Sequence, residues 1–178
     1  MIDPVALLKS RARVLHRAAQ AGETKVLARH RRLRELRGLD DEALALALLR
    51  RHSLALVALE LGFAGWSQAA QVLGGLRDDG FGTLLCPERC FAHWNIWSAS
   101  YDEARAIREE HGGFLLAYRQ QFLIVDRHFI VTLGLDPDDP GWATIGRDWI
   151  RPADPAVRTR FYGEVLSRHF REGAALAA

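Results

Sequence analysis

Cysteine is almost missing: the 178 residues hold two, Cys86 and Cys90. A chain stapled by disulfides for an oxidising compartment normally carries more. Long apolar runs are missing too, and no stretch approaches the ~20 residues needed to cross a bilayer. The start, Met1-Ile2-Asp3-Pro4, is acidic, and Lys9, Arg11 and Arg13 interrupt the apolar run that follows. This is not the pattern of a secretion signal. Together these absences predict a cytoplasmic protein with no membrane partner. Gly-x-Ser-x-Gly, the phosphate-binding P-loop and His-Glu-x-x-His are also absent, so the hydrolase, nucleotide and zinc-protease chemistries they mark lack their signature. Lysine is scarce, at two of 24 basic residues.

What is present is ordinary globular material, 49% hydrophobic and 26% charged. That is enough apolar surface to bury a core without staples. Charge is uneven. Residues 1–77 hold 13 Lys and Arg against 7 Asp and Glu, whereas residues 78–178 hold 11 against 15. Such asymmetry points to a basic face able to meet something anionic, or to two halves that neutralise each other.

Periodicity divides the chain as the charge does. Asp3-Pro4 opens a helix carrying Leu7, Leu8, Val14 and Leu15. A second helix is predicted from Glu23 to Arg37, and a third run from Ala43 to Leu61, broken near Ser53 by a new cap. Gly62 closes it, and Ser67 caps a short last helix. From Gly74 to Gly82 the periodicity stops. Beyond it, strands are predicted at Thr83–Leu85, Phe91–Ala99, Phe114–Tyr118 and Phe122–Val125. Ser100 and Glu103 form a capping box for a helix to His111. Asp126 caps another helix, Pro140 opens one reaching towards Trp149, and Asp154-Pro155 starts the last, which frays from Gly173. The predicted fold class is α+β: a helical bundle followed by a small mixed sheet packed by helices. The domains are 1–75, basic and helical, a linker at 76–82, and 83–178. The strand–helix–strand from Phe91 to Tyr118 implies a parallel pair.

One resemblance attaches to particular residues. Leu8-Lys9-Ser10-Arg11-Ala12, Ala21-Gly22-Glu23, Ala28-Arg29-His30-Arg31 and above all Ala55 to Trp66, with its Leu-Gly-Phe-x-x-Trp turn, resemble a small helical module of uncharacterised bacterial proteins. There it precedes ankyrin-repeat or glyoxalase-like domains. The resemblance covers roughly residues 7–73 and implies a reusable adaptor-like fold; it carries over no activity. The remainder resembles only uncharacterised bacterial proteins.

Four groups of residues are candidates for function. Val57, Ala58, Leu61, Gly62 and Phe63, with a helix from Ser67 to Leu73, have the spacing of a helix-turn-helix and look like the second half of AraC-type DNA-binding domains. That helix carries only Gln68 and Gln71 for base edges, so a plain helical corner explains the pattern too. Arg29, Arg31, Arg32, Arg34 and Arg37 crowd the second helix and suit phosphates, or a solvated face. Cys86, Cys90 and His93 are weak zinc candidates lacking a fourth local ligand, and buried thiols account for them as well. The expectation is no metal and no cofactor. Finally, His93, Asn95 and Trp97 share one face of an extended strand, with Asp126 and His128 near enough in the chain to complete a ligand pocket.

The reading these support is a binding or regulatory protein, contacting nucleic acid or another protein through its basic helical half. The alternative is a small enzyme or ligand-binding or metal-binding protein with its site around His93, Asn95, Asp126 and His128.

Overall fold

The computed structural model describes residues 2–175. Helix α1, Pro4–Gln20, starts as the sequence dictates: the Asp3 carboxylate accepts the Val5 and Ala6 amides at 2.8 and 3.2 Å, and Pro4 occupies the first turn. Its buried stripe is Leu8, Ala12, Leu15 and Ala19. Helix α2, Thr24–His30, is shorter than predicted. Beyond it the chain bends, and Arg34–Leu36 forms a single tight turn. The bend lets Leu36 reach the core, and Arg31 fastens it by donating to the Leu39 carbonyl at 3.0 Å.

The predicted run from Ala43 to Leu61 is two helices, α3 at Asp41–Ala47 and α4 at Arg50–Glu60. The break falls at Leu48 and Leu49, which are extended, not at Ser53. Leu48 turns into the core, and the His52 ring accepts the Leu49 amide at 3.1 Å, doing the capping expected of Ser53. Helix α5, Trp66–Leu73, likewise uses no Ser67 cap; the Gln68 side chain accepts the Ala64 amide at 2.7 Å instead.

Residues 74–82 hold neither helix nor strand, and among the described residues no strand precedes them. The strand expected at Thr83–Leu85 is a turn, in which Leu84 and Leu85 are buried and the Thr83 amide donates to the Leu61 carbonyl at 2.8 Å. That segment serves the helical corner rather than a sheet. Strand β1 is confined to Asn95–Ser98. It leads to α6, Tyr101–His111, whose N-terminus is capped by Ser100. Glu103 does not reciprocate; its carboxylate accepts the Ser98 hydroxyl.

Strands β2, Phe114–Tyr118, and β3, Gln121–Val125, form the predicted hairpin around Arg119 and Gln120, with Arg119 left-handed at φ 56°. The sheet order is β1-β3-β2, antiparallel throughout. The expected mixed sheet is therefore corrected. Strands β1 and β2 do run the same way, as the α6 crossover requires, but the hairpin places β3 between them. The one parallel feature among the described residues is a bridge between Leu115 and Asp148 on the far side of β2.

Asp126 caps α7, Arg127–Leu133, through the Phe129 amide at 2.9 Å. Helix α8 is one turn, Gly141–Thr144, and stops short of Trp149. Helix α9, Pro155–Ala175, continues past Gly173, where fraying was expected; residues 176–178 lie outside those described. It packs along α1, so the end of the chain returns to its beginning. Gly163 makes this approach possible, since a Cβ there would meet the Ile2 carbonyl oxygen at 2.5 Å. Buried apolar residues from Leu8 to Leu166 form one cluster. Its largest knot joins Trp142, Trp149, Phe161 and Phe114, with ring centroids 4.6–5.9 Å apart.

Candidate functional site

Strand β1 places Asn95 and Trp97 on one face, as expected. Opposite them on β3 lie Val125 and Leu123, so this face is continuous with buried sheet. His93 precedes the strand. Its Nε2 lies 2.7 Å from the Thr132 hydroxyl, and its ring stands edge-on to Phe129 at 6.2 Å. The Asn95 amide donates back to the His93 carbonyl at 2.8 Å. Asp126 is occupied as a helix cap, and His128 is exposed. His93 is thus brought beside α7, Asn95 is tied back to His93, and Trp97 packs against Tyr118. None of the five residues lines the clefts at Phe63 and Gln120, at Arg11 and Glu60, at Arg77 and Arg158, or at Phe91 and Tyr118.

Cys86 and Cys90 are buried free thiols, and burial pushes Cys90 up to about 11. A thiol so shifted is protonated at neutral pH and a poor metal ligand. Among the described residues no three His, Cys, Asp or Glu side chains gather in a metal-binding set.

The five arginines do not form one helical face. Arg29 makes a two-pronged pair with Glu60 at 2.7 and 2.8 Å, and Arg31 pairs with Asp41. Arg32, Arg34 and Arg37 are exposed on the bend after α2, near exposed Arg51, which lies 3.9 Å from Glu35. The helical corner of α4 and α5 forms with Ala58 fully buried and with Ala69, Val72 and Leu73 facing inward. Gln68 is used inside that corner, and Gln71 is exposed.

What the sequence does not show is that the aromatic residues around β1 stay exposed. Phe91, Trp94 and Trp97 are 62%, 54% and 43% exposed, and they are the only aromatic residues among the exposed large apolar side chains of the described residues. Scattered exposed leucines need no explanation, but three aromatics within seven residues do. They flank and occupy β1, whose outer edge has no strand beside it among the described residues. The edge carries no charge, no proline and no bulge, and its shortness, four residues, is its one guard against pairing.

Apart from that edge, a groove of about 440 Å³ is lined by Phe91 and by Tyr118 of β2, together with Leu84, Pro87, Glu88 and His169. Trp97 stands edge-on against Tyr118, with centroids 5.6 Å apart and planes at 87°. Aromatic surface therefore runs from Phe91 through Tyr118 to Trp97. The spacing of three between Phe91, Trp94 and Trp97 was the available signal, because it fits no strand face. Comparison of the chain with protein-family models, with curated proteins and with solved structures found no match.

Proposed function

We propose that this is a binding or regulatory protein that takes up an extended polypeptide segment along β1. The observation that carries the reading is the unpaired strand edge bordered by Phe91, Trp94 and Trp97. An edge strand offers backbone donors and acceptors to an added strand, and neighbouring pockets select alternate side chains. Here the exposed rings of Trp94 and Trp97 offer apolar surface to such side chains. Exposed tryptophans are the residues most enriched among those that dominate binding energy. An enzyme built on His93, Asn95, Asp126 and His128 draws less support, because three of those four side chains are engaged in bonds within the fold.

The test is selection from a displayed random-peptide library against the intact chain and against the double variant Trp94→Ser, Trp97→Ser. Peptides that bind the parent and lose at least about tenfold on the variant, the loss of one modest hot spot, are expected. A library that yields only peptides indifferent to the variant would sink the proposal.

A second reading keeps the basic half as a nucleic-acid contact, favoured by exposed Arg32, Arg34 and Arg37. Binding of this kind falls steeply with salt, because each neutralised phosphate releases a counterion. Replacing Arg32, Arg34 and Arg37 by Ala is expected to flatten that dependence by about two to three in slope. No binding of duplex or single strands in a low-salt anisotropy titration would dispose of this reading.

A further inference from the structure

A second concavity lies behind the groove, enclosed by α1, α2, α4 and α9. It holds about 230 Å³ and is lined by Arg11, Arg29, Val57, Glu60, His169 and Phe170. Glu60 and His169 line both spaces. The charges here do not balance. Glu60 is the one carboxylate lining the cavity among the described residues, and Arg29 already claims both its oxygens. Arg32 approaches the same carboxylate at 4.0 Å. Arg11 is half-buried, and among the described residues it makes no hydrogen bond or ion pair; its guanidinium stands 5.8 Å from the centre of the Phe170 ring.

Arg29 and Arg32 thus hold the one carboxylate at the cavity, and Arg11 has no carboxylate in contact. Burial, and then the charge of Arg29, work against the charge on Arg11, and Glu60, out of contact, offsets them only in part. A partly buried cation lacking its counter-charge is costly, and an anion placed beside it removes that cost. His169 has its pKa lowered by burial and then by Arg89 and Arg11, against the opposing pull of Glu172 and Glu60. A neutral imidazole keeps one N–H to donate.

We infer that this cavity binds an oxyanion head group, phosphate or carboxylate, with Arg11 as its principal partner and His169 as a second donor. Guanidinium matches both classes in two-pronged geometry. The cavity admits a head group, and the adjoining groove leaves room for the remainder of a small organic molecule. This inference is independent of peptide uptake along β1, which does not use Arg11.

The experiment is calorimetric titration of the intact chain with inorganic phosphate and separately with acetate, at constant ionic strength set with chloride. Saturable binding of one per chain is expected. Arg11→Gln should weaken it by about tenfold or more, the loss of one hydrogen bond to a charged group. Glu60→Gln should strengthen it, because the internal competitor for Arg29 and Arg32 is gone. These opposite signs separate a site from general damage to the fold, and thermal unfolding checks that each variant is folded. Binding of phosphate alone assigns a phosphoryl ligand, and binding of acetate extends the site to carboxylates. No saturable binding of either anion, or an Arg11→Gln protein that binds like the parent, overturns the inference.

Discussion

His30 shows how much of this chain's chemistry is spent on holding it together. It is completely buried, its Nδ1 lies 2.9 Å from the Val26 carbonyl, and its Nε2 lies 3.0 Å from the Ser53 hydroxyl. A carbonyl only accepts, so Nδ1 carries the proton and Ser53 donates to Nε2. Burial pushes its pKa below the ordinary 6.5, outweighing the Val26 hydrogen bond, and Arg29 and His16 add to the lowering against Glu60. Above the ordinary value both folded and unfolded chains hold it neutral, and its stabilising contribution is complete. As the pH drops below about 6.5, the unfolded chain takes up a proton that the folded chain refuses, and stability falls. Urea midpoints are therefore expected to decline between about pH 7.5 and about pH 5.5, and to decline less in His30→Gln. Parallel curves for parent and variant would show that His30 is not the group responsible. In the sequence His30 stands among arginines; in the structure it shares the buried face of α2 with Val26 and Leu27. Asp126 is the converse case. Its role as a cap was legible from the residues after it, and that role is what removes it from an acid–base pair.

At the scale of elements, the corner between α4 and α5 depends on one position. Gly62 is left-handed, at φ 78°, and a Cβ there would come within 2.5 Å of Thr83 Cγ2 and 2.9 Å of the Thr83 nitrogen. The Phe63 amide returns to the Ala58 carbonyl at 3.0 Å, closing the helix end as a glycine-capped turn does. Gly62→Ala carries both the strained backbone and the clash, so a loss on the order of 1–3 kcal/mol is expected in chemical denaturation. An unchanged midpoint would mean that the corner relaxes freely. Helix starts and stops of this sort were readable because they are local: Asp3, Ser100, Asp126 and Gly62 act on amides a few residues away. The break at Leu48 and the turn at Thr83 were not readable, because each is set by what the segment meets across the fold. The order β1-β3-β2 was hidden for the same reason. The hairpin was plain from its turn, but nothing in β1 states which strand of the hairpin it will join.

The whole molecule is closed by α9, which lies along α1 and brings His169 beside Glu60. Neither residue stands out in the sequence, since their partners are remote in the chain. The cavity they share is a product of the complete fold. What the fold leaves open is the outer edge of β1, and the central claim is that this edge receives another polypeptide. Its most direct test is amide hydrogen exchange across β1 in the intact chain, with and without a saturating peptide from the displayed library. An added strand draws outward-facing backbone groups into new hydrogen bonds, so slower exchange confined to Asn95–Ser98 and the adjoining segment is expected. A peptide that binds while leaving the amides of Asn95–Ser98 exchanging as before would contradict the claim.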